Sequence, residues 1–217
     1  MINTTKKTII EFFENAEKDL ELSEERKDLL FSIADKIIEE LEDRDKVNLN
    51  FICTHNSRRS QMAQVWSFFA SDYFNLDNIY HFSGGTETTA FHRNTVKCLQ
   101  KNGFIFNVDD FSHQNPRYLI SYPGTKKSVL GFSKLYDDNS NNYPYLAITT
   151  CDSADENCPF IPDAIQRFHL PYTDPKIADN TDNQNEKYME TSKQIAGEMH
   201  FIFEEVYKAF NENETPV

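Results

Sequence analysis

The stretch Val47-Asn-Leu-Asn-Phe-Ile-Cys53-Thr-His-Asn-Ser-Arg-Arg59-Ser60-Gln-Met-Ala63 joins three textures in one continuous string. Val47 to Cys53 reads as an apolar strand, a short polar loop follows, and a helical pattern runs from Arg59 to about Tyr73. A thiol at the carboxyl end of a strand, followed by a loop that enters a helix N-terminus, sits where backbone N–H groups converge and the helix dipole is positive. Such a place binds an oxyanion. The same field favours the anionic sulfur, which makes Cys53 a candidate nucleophile. Arg59 is placed to lay a bidentate guanidinium on the same anion, a geometry lysine does not reproduce. Ser60 can hydrogen-bond the nucleophilic or departing sulfur. Taken residue by residue, the string also fits a buried strand-end cysteine beside two surface arginines.

Working outward, strands and helices alternate. Ile79–Ser83, Tyr145–Thr150 and, more briefly, Phe104–Val108 and Phe168–Pro171 read as strands. Asn94–Lys101 reads as a helix, and Glu186–Phe210 as a long one with Ile195, Met199, Ile202, Phe203, Val206 and Phe210 on one face. This alternation predicts an α/β fold with a mainly parallel sheet covered by helices. Tyr118 to Asp138, with Pro123-Gly124 between two β-rich runs, reads as an inserted hairpin. The first 45 residues differ: apolar positions at helical spacing from Ile9 to Leu20, and again after the N-cap candidate Ser23, predict a helical hairpin. The expected organisation is therefore a hairpin over 1–45 and a catalytic domain over 46–217.

Composition narrows the partners. The chain has 217 residues, 22 Lys and Arg against 35 Asp and Glu, and a formal net charge of −13. With no Lys/Arg cluster to release counterions, neither nucleic acid nor an anionic membrane is expected as a partner. No apolar run approaches a membrane span or a signal peptide, so a cytoplasmic location is expected. In a reducing compartment the cysteines at 53, 98, 151 and 158 read as packed thiols, metal ligands or redox groups rather than structural bridges. Cys98, in a helix with Val96 and Leu99, reads as a core thiol.

The Cys53–Ser60 string with Gln61-Met62-Ala63 resembles the phosphate-binding loop of the low-molecular-weight protein tyrosine phosphatases and of the thioredoxin-coupled arsenate reductases built on that fold. Ser83-Gly84-Gly85-Thr86-Glu87 resembles the family's Ser-Ala-Gly-Thr-Glu segment. The resemblance implies a four-stranded parallel sheet flanked by helices, with Thr54, His55, Asn56, Ser57, Arg58 and Arg59 cradling the oxyanion. It covers neither the N-terminal hairpin nor, in any obvious way, the 118–138 insertion.

Cys151-Asp-Ser-Ala-Asp-Glu-Asn-Cys158-Pro159, directly after an apolar strand, is similar to the redox segment of the arsenate reductases and has no counterpart in the ordinary phosphatases. The resemblance implies that Cys53 attacks arsenate, Cys151 attacks the adduct to release arsenite, and Cys158 resolves the disulfide, with a thioredoxin-like reductant as partner. The polar residues between the two cysteines predict a mobile loop. On residue types alone, the pair also fits incidental thiols or half of a metal site, although zinc wants closer spacing and more ligands. No metal and no cofactor are expected. Asp174-Pro175 resembles the loop that supplies the family's general acid; it also fits a plain Asp-Pro turn. Lys176 and Ile177 stand where phosphatases often carry ring-gripping tyrosines, which weighs against phosphotyrosine as substrate.

The chain departs from the family at several positions. His55 stands where the loop usually has glycine, which puts the backbone path in question wherever φ must be positive; Asn56, which tolerates that conformation, is retained. Arg58 stands where a second cysteine is frequent, adding a cation to the anion site or facing solvent. Gln64 replaces a glutamate that some arsenate reductases use to bind potassium, so that ion is not expected. His92 and Arg93 read as surface residues. The reading favoured throughout is arsenate reduction, with phosphomonoester hydrolysis through a Cys53 phosphocysteine as the alternative.

Overall fold

The computed structural model describes residues 6–157 and 161–211. In chain order these form α1 (Lys6–Lys18), α2 (Glu24–Arg44), β1 (Val47–Cys53), α3 (Arg59–Tyr73), β2 (Ile79–Gly85), α4 (Arg93–Asn102), β3 (Ile105–Asp110), β4 (Arg117–Ser121), β5 (Val129–Gly131), β6 (Tyr145–Thr149), α5 (Asp152–Asn157), β7 (Ala164–His169), a 3₁₀ turn (Pro175–Ala178) and α6 (Gln184–Asn211). The main sheet has the order β2-β1-β6-β7 with every neighbouring pair parallel, as expected of the fold. Its strands end together, so the loops after β1, β6 and β7 share one rim.

β1 is buried along its whole length, and its alternation explains how. Leu49 and Phe51 enter the main core. Asn48 and Asn50 alternate with them and give their amides to the carbonyls of Pro144 (2.8 Å) and Tyr136 (2.9 Å), polar partners without which two buried amides would be unfavourable. In the main core Trp66 of α3 is fully buried between elements distant in sequence: Phe13 of α1 stacks on it at 5.9 Å, and its Nε1 donates to Ser192 of α6 at 2.9 Å. Helices α1 and α2 each pack along α6. Ser23 caps α2 as expected, its hydroxyl accepting from the Arg26 amide at 3.2 Å, a contact worth about 1 kcal/mol.

Three local expectations are corrected. The strand near Phe104–Val108 forms, but as β3 of a separate antiparallel sheet, β3-β4-β5, that also contains the expected hairpin. A strand of the parallel sheet is buried on both faces, whereas β3 is mostly exposed and packs chiefly through Phe106 against Phe91 and Tyr118. The strand expected at Phe168–Pro171 starts earlier, as β7; it lies at the sheet's edge, and its polar Gln166 and Arg167 are tolerated there. The polar segment after Cys151 is a helix rather than a loop: Asp152 and Asp155 fall in its first turn, where the helix dipole favours them, and Ala154 is buried.

His81 on β2 is held neutral. Ser67 Oγ lies 2.7 Å from its Nδ1 and Ser71 Oγ 2.8 Å from its Nε2, and burial, assisted by Lys127, pushes its pKa down to about 3. Because the folded value lies below the ordinary 6.5, the unfolded chain takes up this proton first as pH falls. The stability that the neutral ring supplies is complete above 6.5 and drains by roughly 1 kcal/mol per pH unit between 6.5 and about 3. Urea midpoints across that range should fall less steeply for His81→Gln than for the unaltered protein.

Candidate active site

The loop between β1 and α3 turns on one residue. Asn56 has φ of 45° and takes the left-handed conformation, while His55 stays at negative φ. Histidine in place of the usual glycine is therefore accommodated without strain, and its exposed ring reaches Glu87, with Nε2 3.4 Å from the carboxylate.

The loop's carbonyls are held by donors around it. Cys53 O accepts from Thr86 N (3.2 Å), Thr54 O from Glu87 N (2.8 Å), His55 O from Ser133 Oγ (2.9 Å) and Thr89 Oγ1 (3.2 Å), and Ser57 O from His92 N (3.0 Å). Asn56 O accepts from Gln61 Nε2 (3.1 Å), which also donates to Phe132 O (2.8 Å). Within a peptide plane C=O and N–H point in opposite directions, so carbonyls drawn outward leave the amides facing the loop's inner side. Backbone N–H groups so arranged, with the N-terminus of α3 beside them, have the chemistry to receive an oxyanion. Gly85 makes this packing possible, since a side chain there would press on Thr54 O at 2.8 Å, Asn56 N at 2.9 Å and the Glu87 carbonyl.

Cys53 is a buried free thiol, and Ser60 Oγ lies 3.1 Å from its sulfur. Asn56 Nδ2 donates to that same hydroxyl at 2.9 Å, which leaves the Ser60 proton free to point at sulfur. Arg59 reaches across to the loop after β7, donating to Tyr172 O (3.1 Å) and to Asp174 Oδ2 (2.8 Å). Its buried Nε has no partner among the described residues. Asp174 also caps the 3₁₀ turn, accepting from Lys176 N at 3.0 Å. Two pairs result: Ser60 with Cys53, and Arg59 with Asp174.

Arg58 is not among them. Its Nε donates to Tyr188 OH (2.7 Å) and its Nη2 to Asp179 (2.6 Å), so it neither adds charge to the cradle nor faces solvent. Burial opposes ionisation of Asp179, but hydrogen bonds from Tyr188, Arg58 and Asn94 prevail and hold its pKa below the usual carboxylate value. His92 belongs to the same cluster: it caps α4 by accepting from Asn94 N (3.4 Å) and stacks on Tyr188, and so is not the surface residue expected. Cys98 is the core thiol expected, donating to Tyr188 O at 3.3 Å, and burial pushes its pKa up to about 12.

Cys151 follows β6 on the same rim. It is buried in one small cluster with Ile52 and Cys53, and Thr54 Oγ1 lies 3.6 Å from its sulfur. Helix α5, which it precedes, is tied to the sheet: Asp155 accepts from Thr149 Oγ1 (2.9 Å) and pairs with Arg167 (3.3 Å), while Asp152 meets His169 Nε2 (3.1 Å). Cys158 lies outside the described residues.

Several supports carry no mark in the sequence. Gln61, Ser133 and the Lys134 amide, which donates to Asn56 Oδ1 at 3.0 Å, bring the end of the 118–138 insertion against the loop. Gln64 spends its amide on the carbonyls of His81 (3.1 Å) and Leu130 (3.0 Å). A glutamine in the second turn of a helix is unremarkable until these carbonyls arrive from remote segments.

Fold and site together place a buried free cysteine and its loop at the carboxyl rim of a parallel α/β sheet. No family model matches the chain. Arsenate reductase 2 of Staphylococcus haemolyticus is 30% identical over 131 residues, covering 60% of this chain and 80% of that protein. Arsenate reductase of Staphylococcus aureus (strain Newman) is 30% identical over 132 residues, covering 60% of this chain and 79% of that protein. The chain belongs to the arsenate reductase family. Among solved structures, a low-molecular-weight protein tyrosine phosphatase from T. tengcongensis aligns with a TM-score of 0.49 at 17% identity, over 73% of this chain and 99% of that one. A thioredoxin-dependent arsenate reductase of Corynebacterium glutamicum aligns with a TM-score of 0.41 at 17% identity, over 96% of this chain and 86% of that one. No described helix is long and apolar enough to cross a membrane.

Proposed function

We propose that the protein reduces arsenate to arsenite in the cytoplasm, using Cys53 as nucleophile and Cys151 and Cys158 as a disulfide relay to a thioredoxin-like reductant. The loop amides and Arg59 hold the arsenate oxygens. The Cys53 thiolate attacks arsenic; Asp174, released as Arg59 turns to the arsenate oxygens, takes up the proton lost by the Cys53 thiol and passes it to the departing hydroxyl, which leaves as water. Cys151 then attacks the Cys53 sulfur. An S–S bond forms, the S–As bond breaks, and its electron pair stays on arsenic, which falls from As(V) to As(III) and leaves as arsenite. The two thiols are oxidised in balance. Cys158 displaces Cys53 from the disulfide, and an external dithiol reduces the Cys151–Cys158 bond.

Cys53, Arg59 and Asp174 would equally serve phosphomonoester hydrolysis, which needs an acid and a cradle but no second thiol. The observation that carries the reductase reading is the burial of Cys151 in one cluster with Cys53. Reductant consumption in the presence of thioredoxin, thioredoxin reductase and arsenate tests it: consumption that depends on arsenate is expected. Hydrolysis of para-nitrophenyl phosphate with no arsenate-dependent consumption would favour the phosphatase.

A further inference from the structure

Glu198, in the middle of α6, is fully buried. A carboxylate there is strongly unfavourable without a charged partner. Its partner is Arg26 in the first turn of α2, whose Nε donates to Oε1 at 3.0 Å and Nη2 to Oε2 at 2.7 Å. Neutralisation alone would be complete with that fork. Yet Nη2 also donates to Pro171 O at 3.2 Å, and the guanidinium lies over the Tyr172 ring, 5.2 Å from its centroid.

Pro171 and Tyr172 begin the loop that carries Asp174. Tyr172 is nearly buried, its amide donates to Thr150 O at 3.2 Å, and its carbonyl receives Arg59. A continuous run of contacts therefore leads from Glu198 through Arg26 to Pro171 and Tyr172, and from there to Arg59 and Asp174. Helix α2 thus reaches the loop of Asp174 through Arg26.

We propose that Arg26 is a positioning residue for the reaction, clamping the 171–174 loop so that Asp174 and Arg59 are registered over the cradle. The proposal rests on the arsenate reductase reading above. Arg26→Lys keeps the charge opposite Glu198 but cannot make the fork and the Pro171 contact together. The double variant Arg26→Met with Glu198→Met removes both charges and leaves no orphaned carboxylate. In both variants kcat for arsenate should fall about 10- to 100-fold, the scale of a small misplacement of catalytic groups, with KM changed by less than about 3-fold. Hydrogen exchange at the Tyr172 amide should accelerate while the β1 amides keep their rates.

An unchanged kcat in a folded variant overturns the proposal. So does exchange that accelerates equally through β1 and α3, which marks a merely structural role. If the unaltered protein consumes no reductant with arsenate, the assigned reaction fails and exchange alone decides the clamp: acceleration confined to Tyr172 and its neighbours upholds it, and an unchanged rate overturns it.

Discussion

Cys53→Ser is expected to reduce arsenate-dependent turnover by roughly 10⁴-fold or more, to the background of the assay. Two separate losses combine. The hydroxyl is a far weaker nucleophile than a thiolate in the field of a helix N-terminus. It also cannot become half of a disulfide, so no electrons can pass from protein to arsenic whatever is bound. The substitution is close to isosteric at a buried position whose neighbour, Ser60 Oγ, already accepts or donates a hydrogen bond. The melting temperature should therefore stay within a few degrees, which separates lost chemistry from lost fold.

The second large effect is expected for Cys151→Ser. Cys53 and the cradle are intact, so arsenate still binds and the Cys53 adduct still forms, but nothing displaces arsenic from sulfur. Steady turnover with thioredoxin should vanish. Any aryl phosphate hydrolysis should survive, because that chemistry stops at water and needs no second thiol. Sustained arsenite production by Cys151→Ser would remove Cys151 from the relay.

The decisive part of the fold was readable where local and tertiary demands agree. β1 and α3 are expected at Val47–Cys53 and Arg59–Tyr73 and form there, because a buried strand, a polar loop and a helix buried along most of its length leave few alternatives. Errors arose where tertiary context decides. The place of β3 in an antiparallel sheet depends on what its Phe106 meets, Phe91 and Tyr118, which local sequence does not reveal. Helix α5 is polar apart from Ala154 and is held by Thr149, Arg167 and His169 from neighbouring strands. Arg58 sits beside Arg59 in sequence, and nothing local distinguishes the arginine that meets Asp174 from the one that meets Asp179. The Arg26–Glu198 pair joins residues 172 positions apart, beyond the reach of any spacing argument.

The relay is the central claim, and it is tested most directly by one equivalent of arsenate added to reduced Cys158→Ser without thioredoxin, followed by arsenic speciation and mass spectrometry of digested protein. The account predicts one equivalent of arsenite and a Cys53–Cys151 disulfide, with turnover stopped there. Arsenite formed without that disulfide, or no arsenite from a folded variant with free Cys53 and Cys151, would contradict it.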